Sequence, residues 1–360
     1  MRYHQLPPIG DKFSSKLRLR YCAQQNLFKH AIQSSFGGLN NSFQCLVNEH
    51  QSLGEQSLDT GLILSINAHL WGLIFPLIGY GSTAQQQYWL PGLLAGDIIG
   101  GHAITEPQAG SDINALCTKA IATPEGFIVN GHKRFITNTP IADALLIYAQ
   151  LDNKLSAFII ERTDLGAIFT DTPQVNGCST ATMGDVILQD CFIPSGRLLG
   201  KIGAGTMMIQ SALELERAFI FAGINGIMQW QLDQVIHFSR ERKTHGVHLG
   251  SNQAISHKIA EMKLRLDSCI LWVNECARMK DADKRISLVS AQTKLFASEA
   301  FLQSSLDSVH IMGSNGLLKN NIISTLVHDA LASRLFSGSS EIQKNIIAAL
   351  VGTGDGFKSR

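Results

Sequence analysis

The sequence has little charge, and the charge it has is balanced. Only 16% of its 360 residues are charged, and 30 basic side chains against 29 acidic ones give a formal net charge of +1. Because no overall field of one sign would attract a polyanion, neither nucleic acid nor a membrane surface is an expected partner. Hydrophobic residues make up 45% of the chain, which excludes an intrinsically disordered protein and is typical of a packed globular one.

Paired cysteines are also lacking. The seven cysteines are scattered, with no CxxC pair and no metal-ligand spacing, so the sequence predicts neither a disulfide framework nor a metal site. No apolar run near the N-terminus is long enough for an export signal. The most apolar run, residues 62–77, contains Asn67, His69 and Gly72, which favours a buried helix over a membrane span. These features predict a cytoplasmic protein with reduced thiols.

The signature loops of three large enzyme classes are missing. No GxGxxG follows a predicted strand, which argues against a Rossmann dinucleotide-binding sheet. The glycine-rich segment 203–206 lacks the lysine of a P-loop. No GxSxG elbow is present for a serine nucleophile. The chemistry must therefore be sought in other groups.

The pattern of apolar residues changes twice along the chain. From about 15 to 98 the spacing predicts helices, with a break at Pro91 and Gly92. From about 101 to 200 short β-rich runs (126–130, 145–149, 157–160 and 184–188) are separated by turn residues, and Asn130–Gly131 predicts a hairpin turn. Long amphipathic helices return at Gly205, with breaks near 245–251, 280–284 and 313–316. This order predicts an α+β fold with a helical domain (1–100), a β domain (101–204) and a second helical domain (205–360).

One carboxylate is distinguished by its position on the helix predicted to begin near Thr206. The residues three and four positions from Glu216 are all apolar, namely Ala212, Leu213, Phe219 and Ile220. Those around Glu214 are mostly polar and include Arg217 as an available salt-bridge partner. A carboxylate among apolar groups tends to have a raised pKa, which suits a proton-abstracting base. A salt bridge from Glu216 to another helix explains the spacing equally well, so the pattern alone leaves both readings open.

Four segments, in order along the chain, resemble motifs of the acyl-CoA dehydrogenase family. HAITEPQAGSD (102–112) resembles the flavin-binding TEPxAGSD segment, and NGHKRFITN (130–138) resembles the NGxKxFITN strand. SRERKTHG with NQAISHKIAEM (239–262) is similar to the ERxxFG and glutamine helix pair. HIMGSNG with HDALASRLFSGSSEIQ (310–343) is similar to the family's C-terminal ending. Because four moderately specific motifs occur in the family's order, the chain is identified as a member.

The resemblance implies an architecture and a reaction. The family's fold is a helical domain, a β domain and a C-terminal four-helix bundle. Its members use FAD to remove hydrogens from the α and β carbons of an acyl thioester, carried on coenzyme A or an acyl carrier protein. Cofactor sites shared between subunits imply a homodimer or homotetramer, and electron-transfer flavoprotein is a common electron acceptor. The N-terminal helical domain of this chain looks shorter than is usual for the family. In this it is similar to carrier-protein-specific relatives of secondary metabolism, so a carrier-protein substrate is a hypothesis for this chain.

Site residues are carried over from the matching motifs. The resemblance implies flavin contacts from Ile104, Thr105, Gly110, Ser111, Phe135, Ile136, Thr137, Ser339 and Glu341, and contacts with the FAD of a neighbouring subunit from Arg242, Asn252, Gln253, Met312, Gly313 and Gly316. The implied substrate-binding residues are Ser111, Glu214, Arg217 and Ser337. A backbone N–H near Ser337 would polarise the thioester carbonyl.

The departures from the family pattern select the base. Short- and medium-chain members carry a catalytic glutamate in the EGT turn, but Ser337 stands there in this sequence, and serine cannot serve as that base. Isovaleryl- and long-chain-type members place the base in an LER-like stretch on the preceding helix, which Glu216 matches. The resemblance and the apolar spacing thus predict the same catalytic residue. His245 and His310 replace the usual Phe and Gln, so the FAD interface is expected to differ in detail.

Alternative functions and partners remain open at this point. Flavin monooxygenases and oxidases share the fold, although the presence of Glu216 disfavours them. A nucleic-acid-binding member would need a basic C-terminal face, and the sequence has no clustered Lys/Arg run. Lys280, Lys284 and Arg285 are candidate docking cations for an acidic carrier helix, but a solvated loop explains them equally well.

Overall fold

The computed structural model describes residue 3, residues 5–171 and residues 175–354. Helices come first, then a β-sheet, then long helices, so the predicted α+β class is confirmed. The N-terminal helices are α1 (Lys12–Gln24), α2 (Phe43–Ser57), α3 (Thr60–His69), α4 (Phe75–Tyr80) and α5 (Thr83–Ala95). A single π-helical turn, Leu70–Ile74, joins α3 to α4.

The apolar stretch from Thr60 to Tyr80 is mostly buried. It is long and apolar enough to cross a membrane, but 89% of its most apolar window is buried inside the fold. The buried helix predicted for 62–77 is therefore confirmed. The structure adds the π turn within it, which the spacing did not reveal.

The predicted helix break at Pro91 and Gly92 is wrong. Helix α5 begins with a capping box at Ser82 and continues through Pro91 to Ala95. Its last two turns bury Leu90, Leu93 and Leu94, and this burial outweighs the hydrogen bond lost at proline. Gly96, at φ 71°, ends the helix in the left-handed conformation that glycine adopts without strain.

The middle of the chain forms one eight-stranded sheet. Its strands are β1 (His102–Ala103), β2 (Lys119–Ala122), β3 (Gly126–Thr137), β4 (Ala144–Leu151), β5 (Lys154–Glu161), β6 (Ala167–Phe169), β7 (Met183–Pro194) and β8 (Leu198–Leu199). The spatial order is β6-β7-β3-β2-β4-β5-β8, and β1 pairs in parallel with β4. In sequence, the sheet lies between the two helical regions.

The predicted hairpin turn at Asn130–Gly131 is also wrong. Strand β3 runs straight through both residues and pairs with β7, with a register shift between Val129 and Gly131. The shift is a bulge in β7, where Asp190 adopts φ 47°. The Asn130 side chain bonds this bulge, since its Nδ2 donates to Asp190 Oδ1 at 3.0 Å and its Oδ1 accepts from Asp190 N at 2.8 Å. Asparagine therefore stabilises a bulge here instead of a turn.

The C-terminal layer is a bundle of long helices. Its helices are α6 (Gly205–Glu241), α7 (Gln253–Asp281), α8 (Ser287–Met312), α9 (Ile322–Ser333) and α10 (Ser340–Leu350), and a small hairpin of β9 (Lys243–Thr244) and β10 (Val247–His248) follows α6. The three predicted breaks are confirmed. Helices α7 and α8 pack on α6, and α9 and α10 pack on α8.

Close helix packing joins the first layer to the last. A Cβ atom on Gly54 of α2 would lie 1.8 Å from Gly223 O of α6, and one on Gly226 would lie 2.1 Å from Gln51 O. Only glycine allows this approach. It fixes α6 against the N-terminal layer and thereby fixes the position of the carboxylates that α6 carries.

Candidate active site

A cavity of about 1410 Å³ opens where the three layers meet. Its walls come from β1 and β3, from the first half of α6, and from the turn between α9 and α10. It is lined by twelve of the predicted site residues, namely Ile104, Thr105, Gly110, Ser111, Phe135, Ile136, Thr137, Glu214, Glu216, Arg217, Ser337 and Ser339. Segments far apart in sequence therefore share one site.

Glu216 lies in this cavity with little exposure to solvent. Its residue surface is 5% exposed, and Ala212, Phe219 and Ile220 around it on α6 are buried as the spacing predicted. Glu216 Oε1 accepts a hydrogen bond from Ser337 Oγ at 2.6 Å. Glu216 Oε2 lies 3.4 Å from His102 Nε2. The carboxylate thus projects from an apolar stretch of α6 and has two polar neighbours, Ser337 and His102.

The pKa of Glu216 is shifted opposite to the prediction. Burial raises the pKa, but the His102 imidazole, the Ser337 hydroxyl and the positive charge of Arg217 together outweigh burial. The pKa of Glu216 therefore lies below its ordinary value, and the prediction of a raised pKa is wrong. The side chain is ionised at neutral pH, which is the form a base requires.

Ser337 is held in a conformation that few residues adopt. Its φ is 55°, in the left-handed region, which costs free energy for a residue with a Cβ atom. Its carbonyl oxygen accepts from Arg217 Nε at 3.0 Å and from Gln343 Nε2 at 3.3 Å. These two donors, from α6 and α10, hold the turn so that the Ser337 hydroxyl points at Glu216. The residue that replaces the family's turn glutamate thus hydrogen-bonds the glutamate on the helix.

Glu214 and Arg217 do not form the salt bridge that was available to them. Arg217 donates to Ser337 O, while Glu214 accepts from Ile286 N at 3.2 Å and from the Ser287 hydroxyl. Glu214 therefore binds the start of α8. Both side chains still line the cavity, where a substrate can reach them.

The segment 104–111 is anchored by a buried ion pair. Lys133 Nζ of β3 lies 2.7 Å from Glu106 Oε1 and also donates to Ile104 O at 3.2 Å. Glu106 accepts further hydrogen bonds from Cys117 N and Thr118. Burial raises the pKa of Glu106, but Lys133 and these donors lower it to about 2. The pair fixes one wall of the cavity.

Phe135 is turned into the cavity by a second bulge. Arg134 and Phe135 of β3 together oppose Asp185 of β7, and Phe135 adopts φ 56°. Phe135 N donates to Asp185 Oδ1 at 3.2 Å, and Arg134 N donates to Thr105 O at 2.9 Å. The aromatic ring is left 51% exposed. Bulges beside functional sites commonly re-aim a side chain in this way.

The residues present fit a large planar cofactor. The exposed Phe135 offers a flat apolar face. A Cβ atom added at Gly110 would have no neighbour within 4 Å, so the backbone of Gly110 is open to close approach. Thr105, Ser111 and Thr137 supply hydroxyl groups around the same cavity. This set of contacts matches the polar rim and flat surface of an isoalloxazine ring.

The remaining predicted cofactor residues lie away from Glu216. Arg242 O accepts from Leu249 N at 2.8 Å in the turn that leads to Asn252 and Gln253. A smaller cavity of about 520 Å³ beside this turn is lined by Ser239, Arg240, His248 and Ser251, among others. Met312, Gly313 and Gly316 form the end of α8 and the turn after it, and Glu341 is exposed in the first turn of α10. Within one chain these residues do not line the main cavity.

Gly313, which ends α8, has a backbone conformation that other residues rarely adopt. Its φ of 58° and ψ of −138° suit glycine alone. A Cβ atom added there would meet nothing within 4 Å. The backbone is therefore open on this side.

His102 is a site residue that the sequence reasoning missed. It lines the cavity and faces Glu216 Oε2, although only the flavin segment that follows it was assigned a role. A weak signal existed, because strand alternation puts His102 on the same face as Ile104 and opposite the buried Ala103. Nothing in the sequence indicated that this face meets α6.

The fold and the cavity define a flavin-dependent dehydrogenase that acts on acyl thioesters. The chain belongs to the acyl-CoA dehydrogenase family. Models of the family's N-terminal, middle and C-terminal domains match residues 9–97, 101–191 and 203–352. The cofactor of the family is FAD, and its reaction is the oxidation of an acyl thioester.

Individual members of the family are similar to this chain over most of its length. The chain is 34% identical over 354 residues to an L-prolyl-[peptidyl-carrier protein] dehydrogenase of Pseudomonas fluorescens, covering 96% of this chain and 93% of the relative. It is 33% identical over 329 residues to the mitochondrial isovaleryl-CoA dehydrogenase of Arabidopsis thaliana, covering 89% and 80%. The solved structure of PigA with FAD and proline has a TM-score of 0.90 at 30% identity, covering 95% of this chain and 90% of that one.

Proposed function

We propose that this chain dehydrogenates an acyl group carried as a thioester on an acyl or peptidyl carrier protein, with Glu216 as the base. The observation that carries the proposal is the ionised, buried Glu216 carboxylate, oriented by Ser337 in a cavity that fits a flavin. The carrier is favoured by the similarity to an L-prolyl-[peptidyl-carrier protein] dehydrogenase over nearly the whole of both chains.

The proposed chemistry assigns one step to each group. Glu216 takes the proton from the α-carbon, and the electron pair of that C–H bond becomes the second bond between the α and β carbons. FAD, when bound, supplies the oxidant that accepts hydride from the β-carbon. The Ser337 N–H polarises the thioester carbonyl, which strengthens the acidity of the α-hydrogen.

The cofactor contacts belong to the same proposal. Ile104, Thr105, Gly110, Ser111, Ile136, Thr137 and Ser339 bind the flavin end of FAD, and Phe135 covers one face of the ring. Arg242, Asn252, Gln253, Met312, Gly313 and Gly316 bind the FAD of a neighbouring subunit, and Glu341 makes a further FAD contact. Their separation from the main cavity and the open backbone at Gly313 support a contact between subunits. Ser111, Glu214, Arg217 and Ser337 contact the substrate.

The cations between α7 and α8 support a protein carrier. Lys280, Lys284 and Arg285 all line the cavity that holds Glu216, and Lys284 and Arg285 are exposed. An acidic carrier helix docked on them would direct its phosphopantetheine arm into the cavity. The anionic Asp281 and Asp283 in the same segment fit the alternative that these cations belong to a solvated loop. Reversing the charges of the cations distinguishes a docking surface from a solvated loop.

The test compares two matched sets of thioesters under anaerobic conditions. Each acyl group is offered on coenzyme A and on a phosphopantetheinylated carrier protein, and bleaching of the flavin is followed by stopped flow. Faster reduction by the carrier-bound forms supports the proposal. Equal or faster reduction by the coenzyme A forms rejects the carrier, and no reduction by any thioester, with oxygen-dependent turnover instead, favours a monooxygenase or oxidase.

Charge reversal at the rim tests docking directly. Lys284→Glu together with Arg285→Glu should raise KM for the carrier substrate roughly tenfold or more while leaving kcat within about twofold, since rim charges act mainly on association. Lys119→Glu together with Lys201→Glu, two exposed cations outside the cavity, is the control with the same change in net charge. If both variants lose the same amount, the effect is one of net charge and docking at this rim is rejected.

Exposed apolar residues on the C-terminal helical region bear on the oligomeric state. We propose a homodimer or homotetramer, because Leu264 and Leu271 on α7 and Leu317 and Leu318 after α8 are exposed apolar residues of the kind that subunit contacts cover. Light scattering after gel filtration measures the oligomer directly.

We also propose a cytoplasmic enzyme of secondary metabolism that passes its electrons to an electron-transfer flavoprotein. Reoxidation rates with that protein and with oxygen identify the acceptor.

A further inference from the structure

His102 makes a contact with Glu216 that the proposed chemistry does not yet use. Its side chain is 12% exposed, and its Nε2 lies 3.4 Å from Glu216 Oε2. Its other ring nitrogen, Nδ1, is buried and has no hydrogen-bond partner among the described residues. The imidazole therefore has one polar neighbour, and that neighbour is the carboxylate.

The room for this imidazole is made by the π turn between α3 and α4. A Cβ atom on Gly72 would lie 2.8 Å from His102 N and 3.0 Å from His102 Cγ. Any larger residue at position 72 would push the ring out of place. Single π-helical turns recur at functional sites. Two elements distant in sequence thus combine to seat His102 beside Glu216.

The two oxygens of Glu216 have different surroundings. Oε1 accepts the short hydrogen bond from Ser337. Oε2 has no hydrogen-bond partner within the described ranges, and His102 Nε2 approaches it at 3.4 Å. Oε2 is therefore the oxygen that remains free enough to receive a proton.

The tautomer of His102 follows from its neighbours. A carboxylate accepts hydrogen bonds, so the ring nitrogen that faces it must carry a proton. A neutral imidazole with its proton on Nε2 leaves Nδ1 as a lone pair, and a buried N–H without an acceptor is avoided. The geometry thus favours the Nε2–H form.

We propose that His102 is a positioning residue that donates an Nε2–H hydrogen bond to Glu216 Oε2, keeping the carboxylate ionised and aimed at the α-carbon of the acyl group. This inference rests on the proposed function of Glu216. His102 is assigned no proton transfer with the substrate, since Glu216 is the group that receives the α-proton. Its contribution is to hold the base in its reactive form.

The charged and polar groups around Glu216 are few. Arg217 and Glu214 neighbour it on α6, His102 faces it from β1, and Ser337 faces it from the turn before α10. Lys294 of α8 is affected by the charge of Arg217, which helps to lower the pKa of Lys294. Replacing His102 changes only one of these groups. A change in the pH profile is then attributable to the lost donor.

The kinetic test measures flavin reduction between about pH 5 and pH 9 in anaerobic stopped flow. In His102→Phe the donor is gone and the ring volume is kept, so the pKa of Glu216 should rise and the acid limb of the profile should move up by about one pH unit. His102→Gln retains an N–H donor and should recover at least part of the shift. Unchanged profiles in both variants reject the role, as does an equal loss in both with no shift.

A second measurement needs no turnover. The nitrogen-15 shifts of histidine in the intact protein report the tautomer, with the His102 signal assigned by its absence in folded His102→Gln. A protonated Nε2 and an unprotonated Nδ1 are expected, and the opposite tautomer rejects the inference. If Glu216→Gln stays active, the proposed function fails; if Glu216→Gln is inactive and His102 has the other tautomer, only this inference fails.

Discussion

The hydroxyl of Ser337 lies 2.6 Å from Glu216 Oε1, so residues 121 positions apart share one hydrogen bond in the cavity. The left-handed backbone of Ser337 and its carbonyl contacts with Arg217 and Gln343 hold that hydroxyl in place. The turn in which short- and medium-chain family members carry their base therefore hydrogen-bonds the proposed base here.

Removal of the Glu216 carboxylate is the first prediction. Glu216→Gln should lower the rate of flavin reduction by about two to four orders of magnitude, the usual contribution of a positioned base, while FAD remains bound. Anaerobic stopped flow measures the rate, and the absorbance spectrum measures the bound flavin. Asp233→Asn, an exposed carboxylate on the same helix, is the control and should keep its activity. Reduction of the Gln variant at a near-native rate would remove Glu216 from the mechanism.

Replacement of Ser337 is the second prediction. Ser337→Gly removes the hydroxyl and keeps the left-handed backbone accessible, so the turn should be retained. The loss of one donor raises the pKa of Glu216, and the rate should fall mainly at acid pH, where the carboxylate becomes protonated. Rates at about pH 5 and pH 8 give the comparison, with an expected extra loss of roughly tenfold at the lower value. An equal loss at both values would assign Ser337 to structure alone.

Two buried histidines predict how stability depends on pH. Burial lowers the pKa of His50 to about 3 and that of His69 to about 4, against an ordinary value of 6.5. The unfolded chain therefore binds protons that the folded chain excludes as pH falls below about 6.5. Each histidine should then reduce the free energy of unfolding by about 1.4 kcal/mol per pH unit between about pH 6 and the folded pKa.

Urea unfolding at about pH 7 and pH 5 measures this loss. His50→Gln should make the pH dependence of the unfolding free energy shallower, because it removes one of the two histidines that take up a proton mainly in the unfolded chain. The window stays above the ordinary pKa of carboxylates, so that Glu106, whose pKa is lowered to about 2, does not contribute. His257→Gln, an exposed residue of α7, should leave the slope unchanged. A steeper slope in His50→Gln would contradict the assignment.

The Glu106–Lys133 pair predicts a large effect from one missing partner. Lys133→Met leaves a buried carboxylate without its cation and should cost about 3 to 5 kcal/mol of unfolding free energy, with loss of bound flavin. Glu106→Gln combined with Lys133→Met should recover part of that cost. Denaturant unfolding and flavin absorbance measure both effects.

An exposed ion pair provides the matched comparison. Lys263 and Asp267 on α7 have side chains 56% and 48% exposed, so Lys263→Met should cost less than about 1 kcal/mol. If Lys133→Met were equally mild, the buried pair would not anchor the segment 104–111.

Local patterns determined much of the fold in advance. Helical spacing located α3, α6 and the long C-terminal helices, because one apolar stripe on a helix must face a core. The same spacing put Glu216 in an apolar stripe. The four motifs then gave the family, since each is a local run whose identity does not depend on its neighbours in space.

Where a local preference met a tertiary constraint, the constraint decided. Asn130–Gly131 favours a turn in isolation, but pairing of β3 with β7 and the bond from Asn130 to Asp190 convert it into a continuous strand beside a bulge. Pro91 disfavours a helix, but burial of Leu90, Leu93 and Leu94 carries α5 past it. The helix spacing of Glu216 predicted burial, yet the direction of its pKa depends on which polar groups arrive from elsewhere.

The sequence by itself determined the order of helical and β regions and the family, and it predicted Glu216 as the base. Only the tertiary structure decided that Ser337 and His102 share its two oxygens, and that Gly72 makes room for the imidazole. The physical reason is that burial follows from the periodicity of one element, whereas a hydrogen bond or ion pair between distant residues depends on how separate elements pack.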